Sequence, residues 1–227
     1  MKTIALFGGS FNPVHQGHFE TAANVHQALG VDEVWFMFSL NRLKDVADYA
    51  PLHHRMAMAD IMAKHYPGKP FIMSGIEDLL GTHRTCDVLA GIRAQYPDDK
   101  FIWTMGADNL ENFHLWENYD QIINTCPIAI LDRPGYTDKA RNGITAKTYP
   151  HLEVTDAKNL VSVGKGWCFL NNPPVDMSSS NLLTRMRGGE RQFPGAIQEI
   201  VDYILLHGLY NIDQSPGQRP GPLTPRP

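Results

Sequence analysis

Strand-like and helical segments alternate along the first 136 residues, and this alternation limits the fold more than any other feature. The apolar runs TIALFGG, EVWFMF, PFIMSG, KFIWTMG and PIAILDRPGY predict strands, and helical patterns fill residues 16–29, 51–66, 85–96 and parts of 107–125. This order predicts an α/β fold with a doubly wound parallel sheet. Ligands of such sheets bind beyond the carboxyl ends of the strands, where the strand order reverses. The loops GGSFNPVH, SLNRLKD, MGAD and DRPGY are therefore the predicted binding region.

The chain after residue 134 carries a weaker pattern. Residues 135–166 are polar and predict a short helix with a loose loop, and GWCFL (166–170) predicts a last strand. SSSNLLTRMRGG and PGAIQEIVDYILLHGLY predict two closing helices. Residues 211–227 are rich in proline and glycine and predict a disordered tail, so we expect residues 1–210 to form a single domain.

Composition narrows the class of partner. The 227-residue chain has a formal net charge of −4 at pH 7 and no block of like charges, whereas nucleic-acid binding needs a basic face. No apolar run approaches the roughly 18 residues of a membrane span. The cysteines Cys86, Cys126 and Cys168 are odd in number and far apart, which argues against a disulfide framework or zinc site and favours the cytoplasm. The sequence leaves the oligomeric state open.

The loop GGSFNPVHQGH (8–18) lies between the first strand and the first helix. Its paired glycines permit a tight turn and close approach of a ligand, and a helix N-terminus behind it is a ready anion site. His15 and His18 are three residues apart and share a helical face, while Gly17 has no side chain to block a ligand. These features predict a phosphate chain over the turn. The two histidines could instead bind a metal ion, but a third ligand of the usual kind is not near in the sequence. They could also lie at a solvated helix start without a ligand.

The loop resembles a known signature, GG[ST]F[DN]PxHxGH, of the HxGH nucleotidyltransferase superfamily, whose sheet is Rossmann-like. The GxGxxG and GxxxxGK[ST] patterns are absent. Further along, SLNRLKDVADYAPLHHRMAMA, THRTCDVLAGIR, FIWTMGADNLENFHLWENYDQI, LDRPGY and MSSSNLL fall in the order and spacing of bacterial nicotinate mononucleotide adenylyltransferases. MGADNLENFHLW followed by DRPGY distinguishes this family from pantetheine-phosphate adenylyltransferase. The resemblance covers roughly residues 3–210.

The resemblance implies adenylyl transfer from ATP, as its Mg²⁺ complex, to nicotinate mononucleotide, giving deamido-NAD and pyrophosphate. The substrate phosphate is itself the nucleophile, so the protein supplies positioning and charge stabilisation. The implied catalytic groups are His15 and His18, and a histidine beside phosphates favours its charged form. The implied ATP contacts are these two histidines with Gly8, Gly9, Ser10, Phe11, Lys44, Gly106, Asp108, Ser179 and Ser180. Lys44 could instead be a solvated loop lysine without a ligand. Asp108 could instead be a simple acidic residue at a helix N-terminus.

The acceptor half of the site is carried over in the same way. Trp116 would stack on the pyridine ring, and Thr85 with nearby backbone N–H groups would meet its carboxylate. Arg133 would add positive charge there. Trp116 could instead be a core or rim residue.

Two departures from the family pattern affect this reading. Leu183 stands where the late motif ISSTxIR has an arginine for the ATP phosphates, and Arg187, one helical turn on, could replace it. Arg84 stands at the tyrosine position of YTxDTL and Val88 at its second threonine, which places a cation near the carboxylate site.

Three hypotheses follow from these motifs and departures. The first is an active nicotinate mononucleotide adenylyltransferase, with Arg84 and Arg133 favouring the acid acceptor. The second keeps the chemistry but uses nicotinamide mononucleotide or another phosphate monoester. The third is a nucleotide-binding paralogue with little or no turnover, for which Leu183 is the supporting feature.

Overall fold

A six-stranded parallel sheet organises the computed structural model, which describes residues 1–39, 49–173, 175 and 177–212. The strands, in chain order, are β1 Thr3–Gly9, β2 Glu33–Phe38, β3 Phe71–Ser74, β4 Lys100–Gly106, β5 Ile128–Leu131 and β6 Trp167–Leu170. Their order in the sheet is β3-β2-β1-β4-β5-β6, and every pairing is parallel. The predicted α/β class and the doubly wound sheet are confirmed.

Apolar layers cover both faces of the sheet, which explains why its strands read as continuous apolar runs. Along β1, Ala5 and Phe7 belong to one buried cluster, while Ile4 and Leu6 belong to the other. The period of two thus splits one strand between two cores.

The helices are divided between these two faces. In chain order they are α1 Gln16–Leu29, α2 Leu52–Ala63, α3 Ile76–Leu80, α4 Thr85–Gln95, α5 Ala107–Asn112, α6 Tyr119–Thr125, α7 Thr137–Arg141, α8 Ile144–Thr148, α9 Leu160–Val163, α10 Ser179–Arg187 and α11 Ala196–Leu206. Apolar residues of α1, α2, α10 and α11 enter the first cluster, whereas those of α4, α5 and α6 enter the second. The predicted closing helices, α10 and α11, therefore complete the first face.

Two regions are more ordered than the sequence pattern indicated. The short helix α3 was not predicted, and residues 135–166 hold α7, α8 and α9 with intervening 3₁₀ turns rather than one helix and a loose loop. Widely spaced apolar residues in this polar stretch are buried, among them Ala140, Leu152 and Leu160. They anchor short turns that have no sustained helical period.

The chain end also packs further than expected. Asn211 closes a 3₁₀ turn and Ile212 is buried in the first cluster. Residues 213–227 of the predicted tail lie outside the described residues.

Candidate active site

The carboxyl ends of β1 and β4 lie side by side at the point where the sheet order reverses. The loop after β1 leads into α1 on one face, and the turn after β4 leads into α5 on the other. Such a switch point is where open α/β sheets bind ligands.

His15 and His18 form a pair at the start of α1. Their rings lie 3.7 Å apart between centroids, and the backbone N–H of His15 donates to Nδ1 of His18 at 3.2 Å. Since Nδ1 of His18 accepts that bond, the neutral ring carries its proton on Nε2. The ring can therefore donate a hydrogen bond to a phosphate without being charged.

Burial favours the neutral form of both rings. His15 is only 7% exposed, and this burial lowers its pKa to about 4. The pKa of His18 lies well below its ordinary value, first because of burial and then because of the neighbouring His15 charge. The cation expected beside the phosphates would thus depend on the phosphates themselves, which favour the protonated ring.

Neighbouring side chains crowd two glycine positions of this loop. A Cβ on Gly17 would lie 3.1 Å from the His15 ring and 3.2 Å from Val175, and one on Gly9 would lie 2.8 Å from the Phe11 ring. Phe11 itself is buried, with a φ of 44°, and packs against Phe36 and the His18 ring. Its side chain therefore belongs to the core, and only its backbone remains for the predicted nucleotide contact.

Arg55 holds the loop from below, a role that the sequence analysis missed. It is 2% exposed on α2, where burial lowers its pKa. Its Nη1 donates to the carbonyls of Ser10 at 2.8 Å and Ser39 at 3.1 Å, and its Nε donates to that of Ala50 at 3.1 Å. A lone arginine inside the apolar stretch RMAMADIM was the available signal.

The carboxyl-terminal part of the chain also holds this loop. Oδ1 of Asn12 accepts hydrogen bonds from the Ala50 backbone N–H at 3.0 Å and the Tyr210 hydroxyl at 2.9 Å. The Ser179 hydroxyl at the start of α10 donates to the carbonyl of Pro13 at 2.8 Å. The histidine pair therefore rests on residues far apart in the sequence.

A cavity of about 530 Å³, which we call the histidine cavity, opens beside the start of α1. Its lining includes His15, His18, Asp132, Arg133, Ser179 and Ser180. Five of these six are predicted site residues. Asp132 was not singled out, although it follows β5 directly and its Oδ1 is buried without a hydrogen-bond partner in the described structure.

Asp108 and Arg133 form an ion pair beside this cavity. Nη1 of Arg133 lies 2.6 Å from Oδ2 of Asp108, and Asp108 Oδ1 is buried without a partner among the described residues. A Cβ on Gly106 would lie 2.3 Å from that oxygen, so glycine leaves room for the carboxylate. Arg133 is thus brought to the histidines rather than to Thr85 and Trp116.

A second cavity, of about 420 Å³, lies over the glycine turn and the end of β4, and we call it the tryptophan cavity. Its lining includes Gly8, Gly9, Ser10, Thr85, Gly106 and Trp116. A smaller recess of about 240 Å³ is lined by His83, Arg84, Thr85, Trp116 and Glu117. The two predicted acceptor residues, Thr85 and Trp116, are therefore brought together in both.

The expected cation of this side already has a partner. Arg84 is 61% exposed in its side chain, and its Nη1 lies 3.0 Å from Oε1 of Glu117. His83 and the buried Glu77, which the sequence analysis did not single out, line the tryptophan cavity instead.

Comparisons with known proteins show the family of this chain. Residues 6–185 match the family model described as cytidylyltransferase-like. A probable nicotinate-nucleotide adenylyltransferase of Ruegeria pomeroyi is 38% identical over 83% of this chain and 87% of its own length. One of Rhizobium meliloti is 38% identical over 82% of this chain and 99% of its own. This chain belongs to the nicotinate-nucleotide adenylyltransferase family.

Solved structures carry the same fold. Two structures of Plasmodium falciparum nicotinic acid mononucleotide adenylyltransferase, one complexed with APC and one with NaAD, superpose with TM-scores of 0.68 and 0.65. Each is 17% identical and covers 95% of this chain and 100% of the other.

Position 183, where the motif ISSTxIR has an arginine, holds a leucine that belongs to the core. Leu183 is 8% exposed within the first apolar cluster. Arg187, the suggested substitute, is exposed at the end of α10 and is not among the residues lining the histidine cavity. Lys44, the other predicted phosphate contact, lies outside the described residues.

Two kinds of feature are absent from the described part of the chain. No helix there is long and apolar enough to cross a membrane. No group of three or more His, Cys, Asp or Glu side chains there is arranged to hold a metal ion.

Proposed function

We propose that this protein transfers the adenylyl group of ATP to the phosphate of nicotinate mononucleotide, forming deamido-NAD and pyrophosphate. The main support is that the loop of residues 8–18 is flanked by two cavities, one lined by His15 and His18 and the other by Thr85 and Trp116. A phosphate chain and a pyridine nucleotide would each have a place beside the same turn.

In this reaction, an oxygen of the acceptor phosphate forms a bond to the α-phosphorus of ATP. The bond from that phosphorus to the bridging oxygen breaks, and pyrophosphate leaves with the electron pair. Repulsion between the two anions is the main obstacle, so positioning and preorganised donors would supply most of the catalysis. The Nε2–H of His18 and the free N–H groups at the start of α1 are such donors.

Arg133 is our candidate for the charge that Leu183 does not supply. It lines the histidine cavity, and its contact with Asp108 orients the guanidinium. Arg187 is the weaker candidate because it is exposed and outside the cavity lining. We therefore propose that Arg133 serves the phosphate chain rather than the ring carboxylate.

Mg²⁺ is proposed as part of the Mg-ATP substrate. Mg²⁺ commonly keeps several waters and binds through substrate phosphates with one or two carboxylates. Asp132, with a buried unpartnered oxygen in the histidine cavity, would suit such a contact. Bound in this way, Mg²⁺ would neutralise charge on the phosphate chain.

We propose the cytoplasm as the location of the protein, since all three cysteines are free.

Pyrophosphate release from Mg-ATP tests the proposal, with nicotinate and nicotinamide mononucleotides offered separately to the purified chain. Strong preference for the nicotinate form is the expected result. Preference for nicotinamide mononucleotide would support the second hypothesis, in which the chemistry is the same but the acceptor differs. ATP binding without release on either acceptor would make the chain a non-catalytic paralogue.

A further inference from the structure

Glu77 places a buried carboxyl group at the wall of the tryptophan cavity. Its residue is 4% exposed at the start of α3, and its Oε2 lies 3.4 Å from Nδ1 of His83. Burial raises the pKa of Glu77, and the contact with His83 and the charge of Arg55 oppose that rise. A carboxyl group in such a place favours a hydrogen-bonding partner on its exposed side.

His83 is that partner, and it stands between Glu77 and the cavity. Its side chain is 30% exposed and lines both the tryptophan cavity and the smaller recess. Its Nε2 makes no hydrogen bond to any described residue. Among the described residues that line the tryptophan cavity, His83 carries the basic side chain, since the neighbouring Arg84 lines only the recess and pairs with Glu117.

The two ring nitrogens of His83 therefore have separate tasks. When Nδ1–H donates a hydrogen bond to Glu77, the role of Nε2 depends on whether the ring is protonated or neutral. In the protonated ring Nε2–H is a charged donor, which suits a carboxylate. In the neutral ring Nε2 is an acceptor, which repels a carboxylate and suits the N–H of a carboxamide.

We propose that His83 is a specificity-determining residue for the acceptor, its Nε2 meeting the substituent of the pyridine ring while Glu77 holds Nδ1. The inference rests on the proposed function and deepens it. It makes acceptor choice depend on two residues: His83 meets the ring substituent, and Glu77 orients the His83 ring.

Other charged groups lie near the pair. They are Arg84 beside His83, Asp87 of α4, Glu117 across the recess and Arg55 of α2 on the Glu77 side. Arg84 pairs with Glu117, so Glu77 is the carboxyl group in direct contact with the His83 ring.

The test compares kcat/KM for nicotinate and nicotinamide mononucleotides at saturating Mg-ATP and one fixed pH. The variants are His83→Asn and Glu77→Gln, with Arg84→Ala as the rival cation and the exposed His151→Ala as the matched control. In the wild-type protein, the acid is expected to be the preferred acceptor. His83→Asn should lower kcat/KM for the acid by roughly tenfold to a hundredfold, mainly through KM, and so reduce the acid-to-amide ratio.

Glu77→Gln should lower the acid-to-amide ratio less than His83→Asn does, because it weakens the contact that orients Nδ1, and it should leave KM for Mg-ATP unchanged. His151→Ala should behave as wild type. A wild-type acid-to-amide ratio in His83→Asn would overturn the proposal, as would loss of acid preference in Arg84→Ala alone.

If the wild-type protein releases no pyrophosphate with either acceptor, the proposed function fails and the assay cannot judge His83. Calorimetric binding of the two mononucleotides to wild type and His83→Asn then decides it. Loss of acid binding in the variant would support His83, and unchanged binding of both would overturn it. Thermal unfolding of each variant checks that the fold is intact.

Discussion

The loop after β1 and the segment after β3 supply residues to the same end of the sheet but are held very differently. The first loop is buried, with Asn12 and His15 each 7% exposed, and is bonded to α2, α10 and Tyr210. The second passes through the short helix α3 to an exposed turn at His83 and Arg84.

This difference matches the two tasks proposed for the site. Charge stabilisation at a phosphate chain needs donors that do not reorganise during reaction, and a buried, cross-bonded loop provides them. Acceptor recognition involves the substituent of the pyridine ring, which differs between nicotinate and nicotinamide mononucleotides. An exposed turn can change its side chains at small cost in stability, and one of the two departures from the family pattern, at Arg84, lies here.

The largest effect is expected from removing the arginine below the buried loop. Arg55→Met should lower the free energy of unfolding by about 3–5 kcal/mol, since it leaves the carbonyls of Ser10, Ser39 and Ala50 without their donor. Urea unfolding measures it. Arg93→Met, which removes a donor to one carbonyl, is the control. A loss below about 1 kcal/mol for Arg55→Met would break the contrast between the two regions.

Removing the catalytic donor should affect turnover more than folding. His18→Ala is expected to lower kcat/KM by about a hundredfold to a thousandfold, as for loss of a preorganised donor. Its cost in stability should be about 1–2 kcal/mol, from the cavity left beside Phe11. Pyrophosphate release and urea unfolding separate the two effects, with His151→Ala as control. Equal losses in both would refute a catalytic role.

The buried histidines should also make stability depend on pH. An unfolded histidine binds its proton below about pH 6.5, whereas folded His15 has its pKa lowered to about 4. The unfolded chain therefore gains protons first, so stability is full above about pH 6.5 and declines toward about pH 4.

The decline attributable to His15 should reach up to about 3 kcal/mol, measured as the difference between wild type and His15→Phe across that range. The carboxylates titrate in both proteins and cancel. ATP should reduce the decline, because phosphates favour the protonated ring. Parallel curves for wild type and variant would show that the histidine is not buried as described.

The smallest effect is expected on the exposed side. Trp116→Leu should raise KM for nicotinate mononucleotide by roughly tenfold through lost stacking, with KM for ATP unchanged. Because Trp116 is only half-buried, its removal should cost stability little. The adjacent Leu115→Ala, whose side chain is 72% exposed, is the matched control. A comparable loss in the control would point to the segment rather than the indole.

Features with a local pattern could be read from the sequence. The alternation of strands and helices determined the parallel sheet, since each strand is an apolar run followed by its own crossover helix. The pairing of His15 and His18 follows from their spacing at a helix start. Thr85 and Trp116 were found through family motifs, and the structure brings them together.

Tertiary packing decided what has no local period. The helices within residues 135–166 are stabilised by isolated apolar side chains that pack into cores formed by residues distant in the sequence. Arg133 lines the histidine cavity and pairs with Asp108, which is 25 residues earlier in the chain. Arg55, Glu77 and His83 acquire their roles only where separate loops meet, since hydrogen bonds and desolvation depend on spatial neighbours that a linear pattern does not specify.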